Sequence, residues 1–298
     1  MIPSTPLRTG RILDGAVLAK RLKAALRPRV ARVTRRLGRR PGLALVACKA
    51  KTSAELYFSR ELKACREAGI AARVERADPR RGEAALTRRL AALSRDRRID
   101  GILLEFPLPP GFDAQRVLAS LAPAKDIEGL TPENQGRLFG SKHLDELERS
   151  RAFVPCTALA ILRLLKASGA KVTGAHAVVI GRSRVAGRPA AHLLSCLDAT
   201  VTLAHSRTRG LARYTATADI LVTAVGKPGL VRGAMVKKGA VVLDAGTTWR
   251  GGKLLGDVHF ASASKRAAAI TPVPGGIGPV TVAELLNAVV TAAERRKA

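Results

Sequence analysis

The sequence contains little that would stack on nucleic-acid bases, hold a structural metal or form disulfides. Only 3% of its 298 residues are aromatic, so Ala, Leu and Val must fill the core. Its four cysteines form no CxxC pair and its five histidines form no HExxH cluster, which disfavours disulfides and structural zinc. Residues 1–15 lack a signal-peptide pattern, and no uncharged apolar run reaches about 18 residues. We therefore expect a cytoplasmic protein with no membrane span and no metal site.

Acidic residues are also few. The chain has 23 Asp and Glu against 52 Lys and Arg, which gives a formal net charge of 52 − 23 = +29. Such an excess raises the question of a nucleic-acid or acidic-membrane partner. Most of the cations, however, are arginines scattered through Ala-rich helical stretches such as 27–40, and there is no basic tail. A compositional bias toward arginine on solvated faces is the preferred interpretation, and nucleic acid is the alternative that rests on charge alone.

Helical and strand patterns alternate along the chain and are interrupted once. Short apolar strands, such as 43–47 (LALVA), are separated by helical stretches up to residue 140, and the alternation restarts after residue 150. Continuous apolar strands between helices indicate parallel sheets covered on both faces. We predict two α/β domains: 1–145 with the closing helix 280–298, and a Rossmann-type doubly wound parallel sheet over 150–279.

The turn after strand 177–180 has features of a phosphate-binding loop. It reads GRSRVAGRP over 181–189 and leads into a helix. Gly181 permits a tight turn, Gly187 permits close backbone approach, and the helix N-terminus offers free N–H groups to an anion. Ser183 stands where the GxGxxG fingerprint has its middle glycine, and many such turns need glycine for φ alone. A purely structural turn is therefore the alternative.

The next strand ends at His205, Ser206 and Arg207, where a dinucleotide-binding unit reads the adenosine ribose. An acid at this place favours NAD, whereas a cation or a hydroxyl favours the 2′-phosphate of NADP. Because there is no acid and Arg182 is also available, we predict NADP. Surface arginines in an arginine-rich protein are the alternative.

Further segments rich in glycine or proline follow strand ends, where ligands bind to open parallel sheets. They are 224–228, 244–248 and 270–279. The third is made rigid by its prolines, so it suits either a close-approach loop or an elbow that joins the domains.

Motifs from residue 57 to residue 282 point to one family. They are 57–70 (YFSRELKACREAGI), 100–109 (DGILLEFPLP), 123–138 (PAKDIEGLTPENQGRL), 155–157 (PCT), the 177–189 turn, 218–220 (ADI), 225–228 (VGKP), 256–258 (GDV) and 270–282 (ITPVPGGIGPVTV). With them the sequence resembles the bifunctional methylenetetrahydrofolate dehydrogenase/methenyltetrahydrofolate cyclohydrolase family. The last motif and the GRSxxxGxP turn are the most specific.

The resemblance implies an enzyme of one-carbon metabolism that serves purine biosynthesis. Hydride would pass from 5,10-methylenetetrahydrofolate to NADP, and water would then open the methenyl product to 10-formyltetrahydrofolate. The resemblance also implies a folate cleft between the two domains and a homodimer formed through the cofactor domain.

The resemblance further assigns site residues, which share positions with the family's motifs. Tyr57 matches the tyrosine beside the pterin. The implied cofactor residues are Gly181, Arg182, Ser183, His205, Ser206 and Thr247, although the family usually has an apolar residue at 247. The implied folate contacts are Tyr57, Asp126, Pro274, Gly275 and Gly276.

The departures from the family pattern fall in one place. Glu61 stands where the family has the lysine that transfers protons in the cyclohydrolase step. Glu105 replaces the glutamine that tunes that lysine, Glu128 replaces the second Asp of KDxDG, and residues 48–51 replace a glycine-containing lead. With Tyr57, these three glutamates are the candidate catalytic residues. If they face one pocket, their charges repel and at least one pKa should rise, which suits a general acid or base.

Three hypotheses follow. The first is an NADP-dependent dehydrogenase with an impaired cyclohydrolase. The second is a repurposed transferase that passes the folate one-carbon unit to an amine or other cationic substrate held by the glutamates. The third is a non-catalytic folate or nucleotide binder. A carboxylate cluster could also attract a divalent cation.

Overall fold

The computed structural model describes residues 10–48 and 54–296, with side chains from residue 58 onward in the second range. Its helices are α1 (Gly15–Leu37), α2 (Ala54–Ala68), α3 (Gly82–Arg95), α4 (Ala114–Ala119), α5 (Pro132–Gly140), α6 (Leu144–Ser150), α7 (Cys156–Ser168), α8 (Gly187–Ser195), α9 (Leu211–Thr215), α10 (Phe260–Ala263) and α11 (Ile277–Arg295). Its strands are β1 (Arg11–Ile12), β2 (Gly42–Ala47), β3 (Ala71–Arg76), β4 (Gly101–Leu104), β5 (His176–Ile180), β6 (Thr200–Ala204), β7 (Ile220–Thr223), β8 (Val241–Asp244), β9 (Thr248–Arg250), β10 (Lys253–Leu255) and β11 (Ala269–Ile270).

The chain divides into two compact units. The six-stranded unit consists of the described residues within Met1–Ala19, Lys142–Glu146 and Thr157–Thr281. The three-stranded unit consists of those within Lys20–Ser141, Leu147–Cys156 and Val282–Ala298.

The predicted domain bounds, 1–145 and 150–279, are wrong at the beginning and at the boundary between them. Residues 142–146 belong to the six-stranded unit and residues 147–156 to the three-stranded unit. The residues from 10 to 19 belong to the six-stranded unit. The reason is that β1 extends that unit's sheet by pairing in parallel with β11. The closing helix does return to the three-stranded unit from residue 282 onward. The assignment of folate and NADP to separate domains stays a prediction.

The six-stranded unit confirms the doubly wound parallel sheet. Its strand order is β1-β11-β8-β7-β5-β6, and every neighbouring pair is parallel. From β5 the chain first moves outward to β6 and then crosses to β7 on the other side. This reversal opens a crevice beyond the carboxyl ends of β5 and β7, which is where such sheets bind ligands.

The three-stranded unit is built on one wholly buried strand. Its parallel order is β3-β2-β4, and all six residues of β2 are buried. Leu43 and Leu45 of this strand pack with Val30 of α1, Phe58 of α2 and Leu286 of α11. Aliphatic side chains thus make most of this core, as the shortage of aromatics predicts.

Part of the arginine excess stabilises the fold. Arg11 donates to the last two carbonyls of α7 at 3.1 and 2.5 Å. Arg36 donates to carbonyls near the end of α11 at 2.7 and 2.9 Å. The buried carboxylate of Asp100 accepts hydrogen bonds from Arg39 at 2.7 and 2.8 Å and from Arg296 at 3.1 Å. Cations suit helix C-termini, so Arg11 and Arg36 have structural roles there, and Arg39 and Arg296 neutralise the buried carboxylate of Asp100.

One described helix, α11, is long and apolar enough to cross a membrane when judged by length and composition. The most apolar window of this helix is 61% buried, however, and Leu285, Leu286 and Val289 lie in the core of the three-stranded unit. The apolarity of α11 is therefore that of a core helix. The four cysteines are all free and buried.

Candidate functional site

The turn after β5 needs both of its glycines. Gly181 has φ +118°, and a Cβ there would lie 2.4 Å from the carbonyl oxygen of Ala224. A Cβ on Gly187 would lie 1.9 Å from the carbonyl oxygen of Gly181. The turn is thus closed on itself and packed against the loop after β7. It lies at the point where the strand order reverses, as a phosphate-binding turn should.

Ser183 shapes this turn and keeps a donor free. Its Oγ accepts hydrogen bonds from the N–H groups of Ala186 at 3.2 Å and Gly187 at 3.4 Å. A hydroxyl has one donor and two acceptor positions, so its O–H remains available to an anion. Arg182 beside it is exposed. The two glycines, the Ser183 hydroxyl and the Arg182 guanidinium together fit a dinucleotide phosphate.

The three predicted residues of the loop after β6, His205, Ser206 and Arg207, have different roles. The N–H of His205 donates to Thr208 Oγ1 at 2.9 Å, and His205 Nδ1 accepts the N–H of Arg207 at 3.2 Å. His205 therefore holds the turn. The side chains of Ser206 and Arg207 are exposed, which leaves them able to meet a 2′-phosphate.

The other predicted loop residues lie in ordered backbone. Thr247 is exposed directly before β9. The carbonyl oxygen of Gly275 accepts the N–H groups of Gly15 at 2.9 Å and Ala16 at 3.2 Å. A Cβ on Gly276 would lie 2.5 Å from the carbonyl oxygen of Pro272. Packing within the chain thus accounts for Gly276, and folate contact by Pro274, Gly275 and Gly276 stays a prediction.

The three departure glutamates lie toward one edge of the three-stranded sheet. Glu105 directly follows β4, and its N–H donates to the carbonyl oxygen of Val46 in β2 at 2.9 Å. Ile102 of β4 and Asp126 form a parallel β-bridge, so the segment that leads to Glu128 lies alongside β4. Glu61 lies in the second turn of α2, which follows β2 in the chain. A helix that follows a parallel strand begins near the carboxyl end of that strand, so all three glutamates lie toward this edge.

Glu61 has an unusual environment for a carboxylate. Its Oε2 is buried and has no hydrogen-bond partner among the described residues. Burial raises the pKa of Glu61, and the charge of Arg60 partly opposes that rise. Tyr57 is in the same helix, but its side chain lies outside the described residues, as do residues 49–51 of the changed lead.

Glu128 lies close to Cys156, which begins α7. The thiol of Cys156 donates to the carbonyl oxygen of Ile127 at 3.6 Å, and hydrogen bonds from Cys156 to the Glu128 carboxyl group partly oppose the effect of burial on its pKa. Burial raises the pKa of Glu128 to about 7, and the charge of Asp126 adds to the rise. The Cys156 thiol is itself buried, and burial together with the charge of Glu128 raises its pKa. At neutral pH, Glu128 is therefore close to the midpoint of its titration.

The expected rise in pKa is present at Glu61 and Glu128, but its expected cause is wrong. Burial is the largest cause at both residues. The acid that contributes at Glu128 is Asp126 rather than another of the three glutamates. Glu105 is 4% exposed. Burial raises the pKa of the Cys48 thiol, and the charges of Asp78 and Glu105 add to that rise.

Asp126 has a structural role that the sequence did not reveal. It is 1% exposed, and its Oδ2 accepts hydrogen bonds from the N–H of Thr131 at 2.7 Å and from Asn134 Nδ2 at 2.9 Å. This carboxylate therefore ties the segment after β4 to the start of α5. Contact between Asp126 and folate stays a prediction. In such a contact, folate would bind a carboxylate that already accepts hydrogen bonds from Thr131 and Asn134.

Two other carboxylates, Asp244 and Asp257, are not assigned a role by the sequence analysis. Asp244 and Asp257 are 3% and 0% exposed at the carboxyl edge of the six-stranded sheet. An acid that ends an apolar strand (AVVLD) was the available signal for the first. Within the described ranges, His, Cys, Asp and Glu form no group of three that could hold a metal.

Comparisons with known proteins agree with these observations. Residues 13–128 match the catalytic domain of tetrahydrofolate dehydrogenase/cyclohydrolase, and residues 155–297 match its NAD(P)-binding domain. The chain is similar to the bifunctional protein FolD of Bordetella petrii, with 43% identity over 98% of this chain and 97% of that protein.

Solved structures of relatives share the fold. The FolD methylenetetrahydrofolate dehydrogenase/cyclohydrolase of Campylobacter jejuni has a TM-score of 0.88 and 35% identity, over 96% of this chain and 99% of that one. The Trypanosoma brucei enzyme, solved with NADP and an inhibitor, has a TM-score of 0.87 and 40% identity, over 96% of this chain and 98% of that one.

Proposed function

Because this chain belongs to the tetrahydrofolate dehydrogenase/cyclohydrolase family, we propose that it oxidises 5,10-methylenetetrahydrofolate to 5,10-methenyltetrahydrofolate with NADP. The observation that carries the proposal is the complete turn of Gly181, Arg182 and Ser183 at the crevice of the six-stranded sheet. A hydride leaves the one-carbon bridge with its electron pair, and the bridge becomes the methenyl cation.

The residues present fit the cofactor. When bound, NADP supplies the hydride acceptor. Gly181 and Gly187 let the backbone approach the pyrophosphate, Ser183 offers its free O–H, and Arg182 and Arg207 are exposed beside the ribose position. Hydride transfer needs chiefly the alignment of two bound ligands, so the protein's part in this step is to bind and orient.

The cyclohydrolase step is proposed to be impaired. Its proton-transfer lysine is replaced by Glu61, whose buried Oε2 has no described partner. A carboxylate with a raised pKa can still exchange protons, so slow hydrolysis to 10-formyltetrahydrofolate is expected rather than none. The product would then serve formyl-dependent steps such as those of purine biosynthesis.

Paired assays test this proposal on the purified chain. NADPH formation from methylenetetrahydrofolate should be saturable, whereas decay of the methenyl absorbance should be much slower. Tight NADP binding without any turnover would contradict the dehydrogenase and support a non-catalytic binder.

A repurposed transferase is the second candidate, favoured by the unpartnered Oε2 of Glu61. Such an oxygen could accept a hydrogen bond from an ammonium group. Once that nitrogen has lost a proton, it would attack the formyl carbon of 10-formyltetrahydrofolate. The bond from that carbon to N10 would break, and tetrahydrofolate would leave with the proton. Formation of a one-carbon adduct with a supplied amine would favour this candidate, and a normal dehydrogenase rate with no adduct would remove it.

Arg182→Ala tests the choice of cofactor. A charge-assisted hydrogen bond to phosphate contributes a few kcal/mol at most, so the KM for NADP is expected to rise about 10-fold. The KM for NAD, which lacks the 2′-phosphate, should stay almost unchanged. Arg213→Ala, an exposed arginine on α9, is the matched control. An equal rise for both cofactors would mean that Arg182 binds the pyrophosphate instead.

A cytoplasmic homodimer is also proposed. The four buried free cysteines suit a reducing compartment. Strand β6 is an edge of its sheet, and Leu203 on it is 38% exposed. An exposed edge with an apolar side chain is suited to pairing with a second copy. Leu203→Lys is expected to convert dimer to monomer by light scattering, with Tyr214→Lys on α9 as control, and an unchanged dimer would exclude this edge.

A further inference from the structure

Two buried carboxylates lie among the loops that follow β7, β8 and β10 of the six-stranded unit. Asp244 ends β8, and Asp257 follows β10. Buried carboxylates are costly unless they are hydrogen-bonded, so the groups that satisfy them show what the pair does. Nearly all of those groups are backbone N–H groups of the surrounding loops.

Asp257 fixes the loop after β7. Its Oδ2 accepts the N–H of Val225 at 2.7 Å, and its Oδ1 accepts the N–H of Lys227 at 2.6 Å. The carbonyl oxygen of Ala224 in this loop would lie only 2.4 Å from a Cβ on Gly181. The loop held by Asp257 therefore forms one wall of the phosphate turn.

Asp244 joins the remaining segments. Its Oδ1 accepts the hydroxyl of Thr223 at 2.9 Å, the N–H of Gly246 at 2.9 Å and the N–H of Asp257 at 3.1 Å. Its Oδ2 accepts the N–H of the residue after Asp257 at 2.9 Å. Its own N–H donates to Thr271 Oγ1 at 2.8 Å, which links the start of the 270–279 loop.

Two glycines show that the backbone is fitted around these carboxylates. A Cβ on Gly246 would lie between 2.1 and 2.4 Å from the carboxylate atoms of Asp257. A Cβ on Gly256 would lie 2.2 Å from Asp244 Oδ2. Neither position has room for a larger residue, so close approach to the carboxylates is what both glycines permit.

We propose that Asp244 and Asp257 are positioning residues, which hold the loops after β7 and β8 in the conformation that binds NADP. They act through the backbone of those loops, so the cofactor does not have to order them on binding. The proposal rests on the proposed NADP-dependent function.

Asp244 also makes the arrangement sensitive to pH. Burial raises the pKa of Asp244 to about 6, the charge of Asp257 adds to the rise, and hydrogen bonds from Thr223 and two backbone N–H groups oppose it. Asp257 is the titratable group that faces it, and its other hydrogen-bond partners are neutral. Below about pH 6 a proton occupies one of the acceptor positions, which weakens the hold on the loops.

Asp257→Asn is the principal test. The amide places an N–H group against a backbone N–H and breaks one of the two bonds to the 224–228 loop. We expect the Kd for NADP to rise about 10-fold, with the KM for methylenetetrahydrofolate changed less than about twofold. The control is Asp219→Asn, which alters a carboxylate before β7 that accepts the N–H of His176 at 3.0 Å at the opposite edge.

The outcomes separate the two proposals. If the wild-type chain fails to bind NADP, the proposed function is wrong. If the wild-type chain binds it and Asp257→Asn binds equally well, or Asp219→Asn weakens binding just as much, the positioning role is overturned.

Thr223→Val keeps the test decisive if Asp257→Asn does not fold. It preserves side-chain shape and removes one bond that lowers the pKa of Asp244, so that pKa should rise. The Kd ratio of variant to wild type should then be near 1 at pH 8 and increase below pH 7. The 2′-phosphate of NADP titrates equally with both proteins and cancels in the ratio. A flat ratio would overturn the role of Asp244.

Discussion

Replacing Glu61 with lysine is expected to raise the rate of methenyltetrahydrofolate hydrolysis at least about 10-fold, because a positioned proton-transfer group contributes roughly 10²–10⁴-fold. Burial that raises the pKa of Glu61 should lower the pKa of a lysine at the same place. The lysine would therefore be deprotonated more readily than in water and could accept a proton from the attacking water.

The effect should grow when Glu105→Gln is added to Glu61→Lys. A carboxylate near this edge holds an ammonium group protonated, and an amide does not. The matched control is Glu67→Lys, an equal change of charge on the exposed face of α2, which should leave hydrolysis unchanged. Decay of the methenyl absorbance measures the hydrolysis rate of the wild type, the single variant Glu61→Lys, the double variant and the control. A wild-type rate equal to that of the double variant would contradict the prediction and assign the proton transfer to Glu61.

Several helices and strands follow from local signals in the sequence. The helical periodicity of residues 54–68, which ends at Gly69, predicts a helix over those residues, and α2 has those bounds. Gly69 has φ +77°, as such a helix end favours. The run 99–106 (IDGILLEF) predicts a strand over all of its residues, but β4 spans only Gly101–Leu104. An apolar run does not show how far a neighbouring strand reaches, and here the pairing with β2 ends at Leu104.

Long-range pairings were beyond sequence reasoning. Strands β1 and β11 have two residues each and no periodicity, and they meet across more than 250 residues of chain. The β9–β10 hairpin was missed although its turn carries a usable signal. Gly251 and Gly252 both have positive φ, as a two-residue hairpin turn requires.

The candidate site shows the same division. The turn after β5 is identifiable because its two glycines, serine and arginine lie within residues 181–187. Asp244 and Asp257 were not, because their partners come from four separate segments. The cause of the raised glutamate pKa values was also missed, since burial is a property of the packed unit rather than of any motif.

Glu128→Gln is expected to change how stability depends on pH. The pKa of Glu128 rises from its ordinary 4.5 to about 7 in the folded chain, so the folded state binds a proton more tightly than the unfolded state. This stabilisation is complete below about pH 4.5 and is lost as pH rises through 7. A shift of this size corresponds to about 3 kcal/mol, at 1.36 kcal/mol for each pKa unit.

Glutamine does not ionise, so the variant should gain up to about 3 kcal/mol relative to wild type between pH 5 and pH 8. Urea unfolding at both pH values measures this gain, and every other titrating group cancels in the comparison. Glu148→Gln, an exposed change in the same unit, should show no such gain. An identical difference at both pH values would mean that Glu128 titrates normally. A gain would mean that Glu128 exists in both protonation states near neutral pH, as a general acid or base does.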